Sequence, residues 1–463
     1  MRSDRESAAA WEAALDHVIQ GAHLAIGEDL STLLDDAVRP LGLTAEMLVA
    51  DTSQRVLTAL RPGPPHRIDL AASIGGQAYQ LGEILPDADA DGGPLLWVPV
   101  LDGTDRLGVV RVGFTGHGDR AAHDDTRLRR RLLTMASLMG HVLGSKTVYS
   151  DQLRRWRSNG PLTPASELLW QLLPPRTVAT ERVVVSATLE PQRDVAGDAF
   201  DYNVEGDVVD LAVYDAAGHD LRASITTALA ITGVRNARRS GEEDLAAIAA
   251  HADTLIDAQP GPRQFATAFL ARLDTVTGAL AYLNAGHVPP LLIRRGNVVQ
   301  RLEGPHRAPL GITRPEGWKE TAQQQLEPGD RLLIYSDGIT EARDQHGVFF
   351  GEDQLVELTE HAAAAGISTP ETLRRLATAV LDHQQGRLQD DATLVLVEWS
   401  AAGHERMLPT LRAPQPNVRA RPLSTPNTSW GRTSTSSSTK GGVHDPVTSW
   451  STPTNSGPNA QIV

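Results

Sequence analysis

Twice in this chain an apolar run ends abruptly in an aspartate and a small-residue turn, LAVYDAAGHD at 211–220 and RLLIYSDGIT at 331–340. An ionised carboxylate at the end of a buried strand is costly unless it is paired or bound. Glycine in the turn that follows lets backbone close on something small. Two further segments place aspartates at the same kind of boundary: Asp198 in VAGDAFD, and Asp390 with Asp391 in QDDAT ahead of the strand-like ATLVLVEW. Taken singly, each reads as a turn or capping residue. Taken together and ionised they repel one another, so the group must protonate, stay wet or bind a cation. An oxygen-only donor set selects Mg2+ or Mn2+ over zinc.

The rest of the composition narrows the setting. A chain of 463 residues with 41% hydrophobic residues has room for two or three ordinary cores. The formal net charge is −14 and no Lys/Arg block is long enough to track a phosphate backbone, which speaks against a nucleic-acid partner. There is no cysteine, so disulfides, zinc–thiolate sites and thiol nucleophiles are excluded, in keeping with a reducing compartment. MRSDRESAAAWEAALDHV carries charges where a signal peptide needs an apolar core, and no apolar run approaches the roughly 18 residues that span a bilayer. The expectation is a cytoplasmic protein with no membrane partner. From 401 to 463 the chain turns rich in Pro, Ser, Thr and Gly, too poor in apolar pattern to offset its ordering entropy, and reads as a disordered tail.

Residues 10–118 read as a compact α/β unit, with a helix in LSTLLDDAVRPLGL and a hairpin in PLLWVPVLDGTDRLGVVRVGF turning at Asp-Gly. With IGGQAYQLGE ahead of that hairpin, the unit resembles a GAF-type sensor domain. The resemblance implies a helix-flanked antiparallel sheet that serves either as a pocket for a small-molecule ligand or as a dimerisation scaffold. A helical linker follows at 119–160. Over 122–157 its apolar residues fall at Leu128, Leu132, Met135, Leu138 or Met139, Val142, Tyr149, Leu153 and Trp156, with Lys146 interrupting the seam. That spacing predicts either a helix packed on its own domain or the parallel seam of a homodimer.

Strands and helices then alternate over 165–400 in the order expected of an α/β β-sandwich with helices outside. LRASITTALAITGVRNARR reads as one helix, and Ser240 with Glu243 has capping-box spacing at the start of the next. STPETLRRLATAVLDHQ reads as a third, with Pro370 just inside its start. LLPP, VAGDAFD, DAAGHD, FATAFLARLD, NAGHVPPLL, YSDGITEA and DDATLVL follow in the order of the metal-dependent protein phosphatases (the PPM family), and the region resembles their bacterial SpoIIE-like branch. Carried over residue by residue, the resemblance implies two divalent cations, Mn2+ or Mg2+, that activate a water for hydrolysis. Asp215 would bridge them. Asp198 and the carbonyl of Ala216 would hold one ion, and Asp337 and Asp390 the other. Asp391 falls where eukaryotic relatives carry Asn and ranks behind Asp390.

Arg193 matches a position where relatives bind substrate phosphate, and reads equally as a surface arginine. His219 and His287 sit in Gly-His turns, which are either structural or chemical. The chain departs from the branch at Ala196, at Ala216-Ala217 and at Asp220, which is expected to face helix amides. The resemblance implies a serine/threonine phosphatase acting on a phosphorylated regulatory protein, an anti-sigma-factor antagonist, under control of the N-terminal unit. The competing expectation is a non-catalytic phosphoprotein-binding or ligand-sensing dimer that keeps the fold.

Overall fold

The computed structural model describes residues 2–409 except 62, 116–124, 159–162, 191–196, 219, 306, 313–320 and 387. In the N-terminal half, α1 (Arg2–Ala22) and α2 (Asp29–Val38) precede β1 (Leu43–Ala50), β2 (Val56–Ala59) and β3 (Arg67–Asp69). Next come α3 (Ile74–Leu81), β4 (Leu85–Ala88), β5 (Pro94–Asp102), β6 (Asp105–Phe114) and α4 (Thr126–Thr147). The strands form one antiparallel sheet ordered β3-β2-β1-β6-β5-β4. Alternation sorts its two faces: Met47, Val49, Leu96, Val98 and Val110 pack under α1, α2 and α4, while Leu48, Ala50, Leu95, Trp97 and Val109 meet α3.

The linker is not one helix and its seam does not face outward. It breaks after Thr147, and α5 (Asp151–Arg157) restarts with Ser150 Oγ accepting from the Leu153 amide. Leu132, Met135, Met139, Leu143 and Leu153 are all buried in the core of their own domain. The reading of this segment as the seam of a homodimer is therefore corrected. A coiled-coil seam and a helix laid on its own sheet share one apolar stripe, and Gly140 separates them. A Cβ there would stand 1.9 Å from the Leu101 carbonyl, so α4 lies close on β5 and the stripe is already occupied.

After α6 (Pro164–Leu172), the second half contains two antiparallel sheets. One takes the order β15-β12-β11-β10-β9, built from β9 (Asp198–Glu205), β10 (Val208–Ala216), β11 (Ala266–Asp274), β12 (Ala279–Ala285) and β15 (Ala322–Gln325). The other runs β14-β13-β16-β17-β8-β7, built from β7 (Thr177–Ala179), β8 (Val183–Glu190), β13 (Leu291–Arg294), β14 (Asn297–Arg301), β16 (Arg331–Tyr335) and β17 (Ala392–Trp399). Inner faces meet through Val185, Ala187, Val209, Leu211, Val213, Phe269, Ile334, Val395 and Val397. Outer faces are covered too: Ala212 and Tyr214 by α7 (Leu221–Arg239) and α8 (Leu245–Asp257), and Leu333, Tyr335 and Leu394 by α10 (Gly351–Ala364) and α11 (Thr369–His383). Each buried Leu or Val of these strands contributes about 1.5–3 kcal/mol against exposure. Burial on both faces is why the strands read as continuous apolar runs.

Two local expectations need correction. The cap of α8 is Asp244, accepting from the Ala246 amide, whereas Ser240 closes α7. Residues 401–409, expected to open the tail, instead carry a short 3-10 turn at Gly403–Arg406, with Met407 buried and Arg406 paired to Glu398. Residues 410–463 lie outside the described part of the chain. Among the described residues no helix is long and apolar enough to cross a membrane.

Candidate metal centre

Antiparallel register brings the first two carboxylates together. Asp198 opens β9 and pairs directly with Asp215 near the end of β10. Chain reversal then brings in α9 (Asp337–Thr340) and the segment before β17, because β16 and β17 are neighbours through Tyr335 and Leu394. Contact here is tight. A Cβ on Gly338 would stand 1.9 Å from the Asp391 carbonyl, so the YSDG turn can press against QDD only with glycine at that place. Asp391 in turn accepts from the Gly197 amide at 2.6 Å, which ties the end of one sheet to the end of the other beside Asp198. Thr227 of α7 donates to the Gly197 carbonyl from behind.

The five carboxylates lie on a gradient from interior to solvent. Asp198 and Asp391 are 3% and 4% exposed, Asp215 is half-buried, and Asp337 and Asp390 are open to solvent. Burial, followed by the Asp215 and Asp391 charges, pushes the Asp198 carboxyl well above the usual range. Asp215 is pushed up to about 7 by burial and then by Asp337, Asp390 and Asp391. Asp337 is raised by burial and by Asp390. Among the described residues no lysine or arginine pairs with Asp198, Asp215, Asp337 or Asp390, so protein charge does not relieve this repulsion.

A hard cation fits the donors present. Asp198 Oδ2 is buried without a hydrogen-bond partner, an acceptor left available in the middle of a carboxylate group. Every side-chain donor in the group is oxygen, the chemistry Mg2+ and Mn2+ take. Among the described residues, no three acidic or imidazole side chains already form a closed coordination shell. Side chains that repel one another while ionised have no reason to close without a counter-charge.

Other expected residues divide clearly. Asp220 caps α7, its Oδ1 accepting from the amides of Arg222 and Ala223 at 3.0 Å, so its charge faces the helix. His287 is buried and bonded through Nδ1 to Thr267, with its amide donating to Asn284 Oδ1. Burial pushes its imidazole down to about 4, which keeps the ring neutral. Arg193 and His219 lie outside the described residues. Sequence reading missed Ser336 and Thr393, whose hydroxyls flank Asp198. It also missed Asp201, which holds α7 on β9 through Arg235 at 2.7 Å and Arg238 at 3.1 Å. The i+3 spacing of Asp201 from Asp198, with arginines on the following helix, was the available signal.

Residues 205–400 match the family model described as Stage II sporulation protein E (SpoIIE). The match takes in Asp215, Asp337, Asp390 and Asp391 and begins at the end of the strand that Asp198 starts. Phosphoserine phosphatase RsbU of Bacillus subtilis is 23% identical over 234 residues, covering 50% of this chain and 68% of that protein. Protein IcfG of Synechocystis sp. is 25% identical over 281 residues, covering 54% of this chain but only 43% of its own length. The solved SiaA-PP2C domain of Pseudomonas aeruginosa superposes with a TM-score of 0.45 at 23% identity, covering 51% of this chain and 94% of that one. The motif-bearing strands, the carboxylate group at their ends and the family match all fall on one region, and residues 205–400 are similar to the SpoIIE-type domain of the metal-dependent protein phosphatases.

Proposed function

We propose that the chain dephosphorylates phosphoserine or phosphothreonine on a regulatory protein, using two Mn2+ or Mg2+ ions at the carboxylate group. The observation that carries this reading is the convergence of Asp198, Asp215, Asp337, Asp390 and Asp391 from separate segments, with no protein cation paired to the first four among the described residues. When bound, the two cations would supply counter-charge and lower the pKa of a water towards neutrality.

The chain's own residues have distinct tasks in this scheme. Asp215 pairs in register with Asp198 and feels the charges of Asp337 and Asp390, which supports the reading that it would serve both ions. Asp198, with its unpartnered Oδ2, and the Ala216 carbonyl would hold one ion. Asp337 and Asp390 face solvent and would hold the other, on the side where a phosphoprotein can approach. Asp391 is engaged by the Gly197 amide and acts by positioning the turn that carries Asp198. Ser336 Oγ accepts from the Thr393 amide at 3.0 Å and ties the start of the YSDG turn to β17. Neutral His287 supports the β11 strand through Thr267, the residue opposite Asp215 in register. Arg193, where relatives contact phosphate, is assigned the same contact here.

An anti-sigma-factor antagonist is the substrate that the SpoIIE-like resemblance favours, and the relative RsbU is a phosphoserine phosphatase. The N-terminal unit, GAF-like in its motifs, is proposed to control the domain. Ser53 Oγ donates to Glu190 Oε2 at 2.8 Å, and Glu190 ends β8 opposite Ala392, beside Asp391. Phosphate release from phosphorylated antagonist proteins, assayed with Mn2+, with Mg2+ and with EDTA, tests the reading. Metal-dependent release from one of them is expected, and absence of release from phosphoserine and phosphothreonine alike overturns it.

A further inference from the structure

A cavity of about 430 Å³ lies where the two halves meet. Its wall draws on β6 (Leu107), α5 (Arg157), α6 (Trp170), the following Pro175 and Arg176, and β9 (Phe200). The volume is that of a small organic molecule. Its chemistry is uneven. Trp170, Pro175, Leu107 and Phe200 make the apolar wall, and three guanidinium groups, of Arg154, Arg157 and Arg176, stand among the polar ones.

Two of the charged groups at this wall already have partners. Arg154 is already paired with Glu167 and donates to the carbonyls of Thr147 and Val148. Asp102 is bonded to His141 at 2.6 Å. Arg157 and Arg176 stand at the same wall as Asp105. Burial pushes the Asp105 carboxyl up, which weakens it as a counter-ion. Arg157 Nε and Arg176 Nη2 are both shielded from solvent, and neither has a hydrogen-bond partner. Buried guanidinium N–H groups without acceptors are expensive, and a carboxylate is the acceptor whose geometry suits them. Arg176 also stacks over Trp170 at 5.9 Å, which fixes the cation beside a flat face.

We propose that this cavity binds a small aromatic monocarboxylate, its ring held between Trp170 and Pro175 and its carboxylate accepting from Arg157 Nε and Arg176 Nη2. Two N–H groups without acceptors match the two oxygens of one carboxylate. The site differs from a pocket inside the N-terminal sheet, because part of its wall, from Trp170 to Phe200, comes from the C-terminal half. Thr52 at its rim donates its amide to the Arg157 carbonyl at 2.7 Å, so the N-terminal sheet holds the arginine in place.

Isothermal titration of the full chain with 1-naphthoate and with neutral 1-naphthamide tests the site without reference to phosphatase turnover. The acid is expected to bind at least about tenfold more tightly than the amide, the scale of one charge-assisted hydrogen bond. Arg157→Gln and Arg176→Gln should each remove most of that preference and leave amide binding unchanged. Trp170→Leu should weaken both ligands. Each variant is checked by circular dichroism melting. Hydrogen exchange of the unaltered chain gives a second readout, in which 1-naphthoate should protect residues 151–157 and 170–176. Equal affinity for acid and amide, a preference that survives both arginine substitutions, or no saturable binding and no protection at about 1 mM 1-naphthoate would overturn the proposal.

Discussion

Replacing Asp215 by Asn removes one charge from the carboxylate group and leaves its shape almost intact. In the native chain this carboxyl is pushed from 3.8 up to about 7, first by burial and then by Asp337, Asp390 and Asp391. A native carboxyl raised above its unfolded value binds its proton more tightly when folded. Its contribution to stability is therefore full below about pH 4 and is lost as pH rises through about 7. At about 1.36 kcal/mol per pH unit, holding it ionised at pH 8 costs about 4 kcal/mol. Part of that repulsion is shared with neighbours that remain charged, so Asp215→Asn should recover about 1–3 kcal/mol in EDTA at pH 8. For a domain of this size that is a rise of about 3–8 °C in Tm. The gain should shrink at pH 5, where the native Asp215 is itself protonated. Saturating Mn2+ should reverse the order: the unaltered chain gains stability by ligand binding, about 2.7 kcal/mol at a hundredfold excess over Kd, and Asp215→Asn gains little. Differential scanning calorimetry at both pH values, with and without Mn2+, reads all four conditions. An Asn variant no more stable than the parent in EDTA at pH 8, yet equally stabilised by Mn2+, would refute the reasoning.

Further substitutions separate the roles. Asp391→Asn keeps an oxygen for the Gly197 amide and should lower kcat/KM for a phosphoserine peptide by no more than about tenfold, one charge-assisted hydrogen bond. Asp337→Asn and Asp390→Asn should each cost at least about a hundredfold, because each removes a charged ligand. Leu132→Glu puts a charge into the core of the N-terminal half and should destabilise it by about 3–5 kcal/mol by chemical denaturation. A folded variant that merely changes from dimer to monomer in sedimentation would restore the intermolecular seam. Deleting 410–463 should leave melting unchanged, whereas deleting from 401 removes Met407 and Arg406 from their contacts and should lower Tm measurably.

The carboxylate ends were legible because a charge at the end of an apolar run has few inexpensive explanations, and four such ends limit one another. Which strands pair could not be read the same way. With both sheet faces covered, Val209, Leu211 and Val213 face the inner core while Ala212 and Tyr214 face helices, and the alternation vanishes into one apolar run. The linker left two readings open for a different reason. Leu132, Met135, Met139 and Leu143 form the same stripe whether the partner is a second helix or β5, and only the close approach at Gly140 distinguishes them. Ser240 lost the cap of α8 to Asp244, which stands next to the first helical residue and reaches its amides directly. Ser336 and Thr393 escaped notice because hydroxyls on buried strands are common, and their relation to Asp198 exists only once β16 and β17 are paired. The junction cavity is assembled from segments nearly a hundred residues apart, which no local pattern encodes.

The central claim is that the carboxylate group works through bound divalent cations on a phosphorylated side chain. Its most direct test is the rate of phosphate release from a phosphoserine protein substrate by the full chain across a Mn2+ titration, with Asp215→Asn run alongside. The account predicts saturable, Mn2+-dependent turnover that EDTA abolishes and that Asp215→Asn lacks at every Mn2+ concentration while remaining folded by circular dichroism. Turnover in EDTA, or a folded Asp215→Asn chain with the parent's rate, would contradict it.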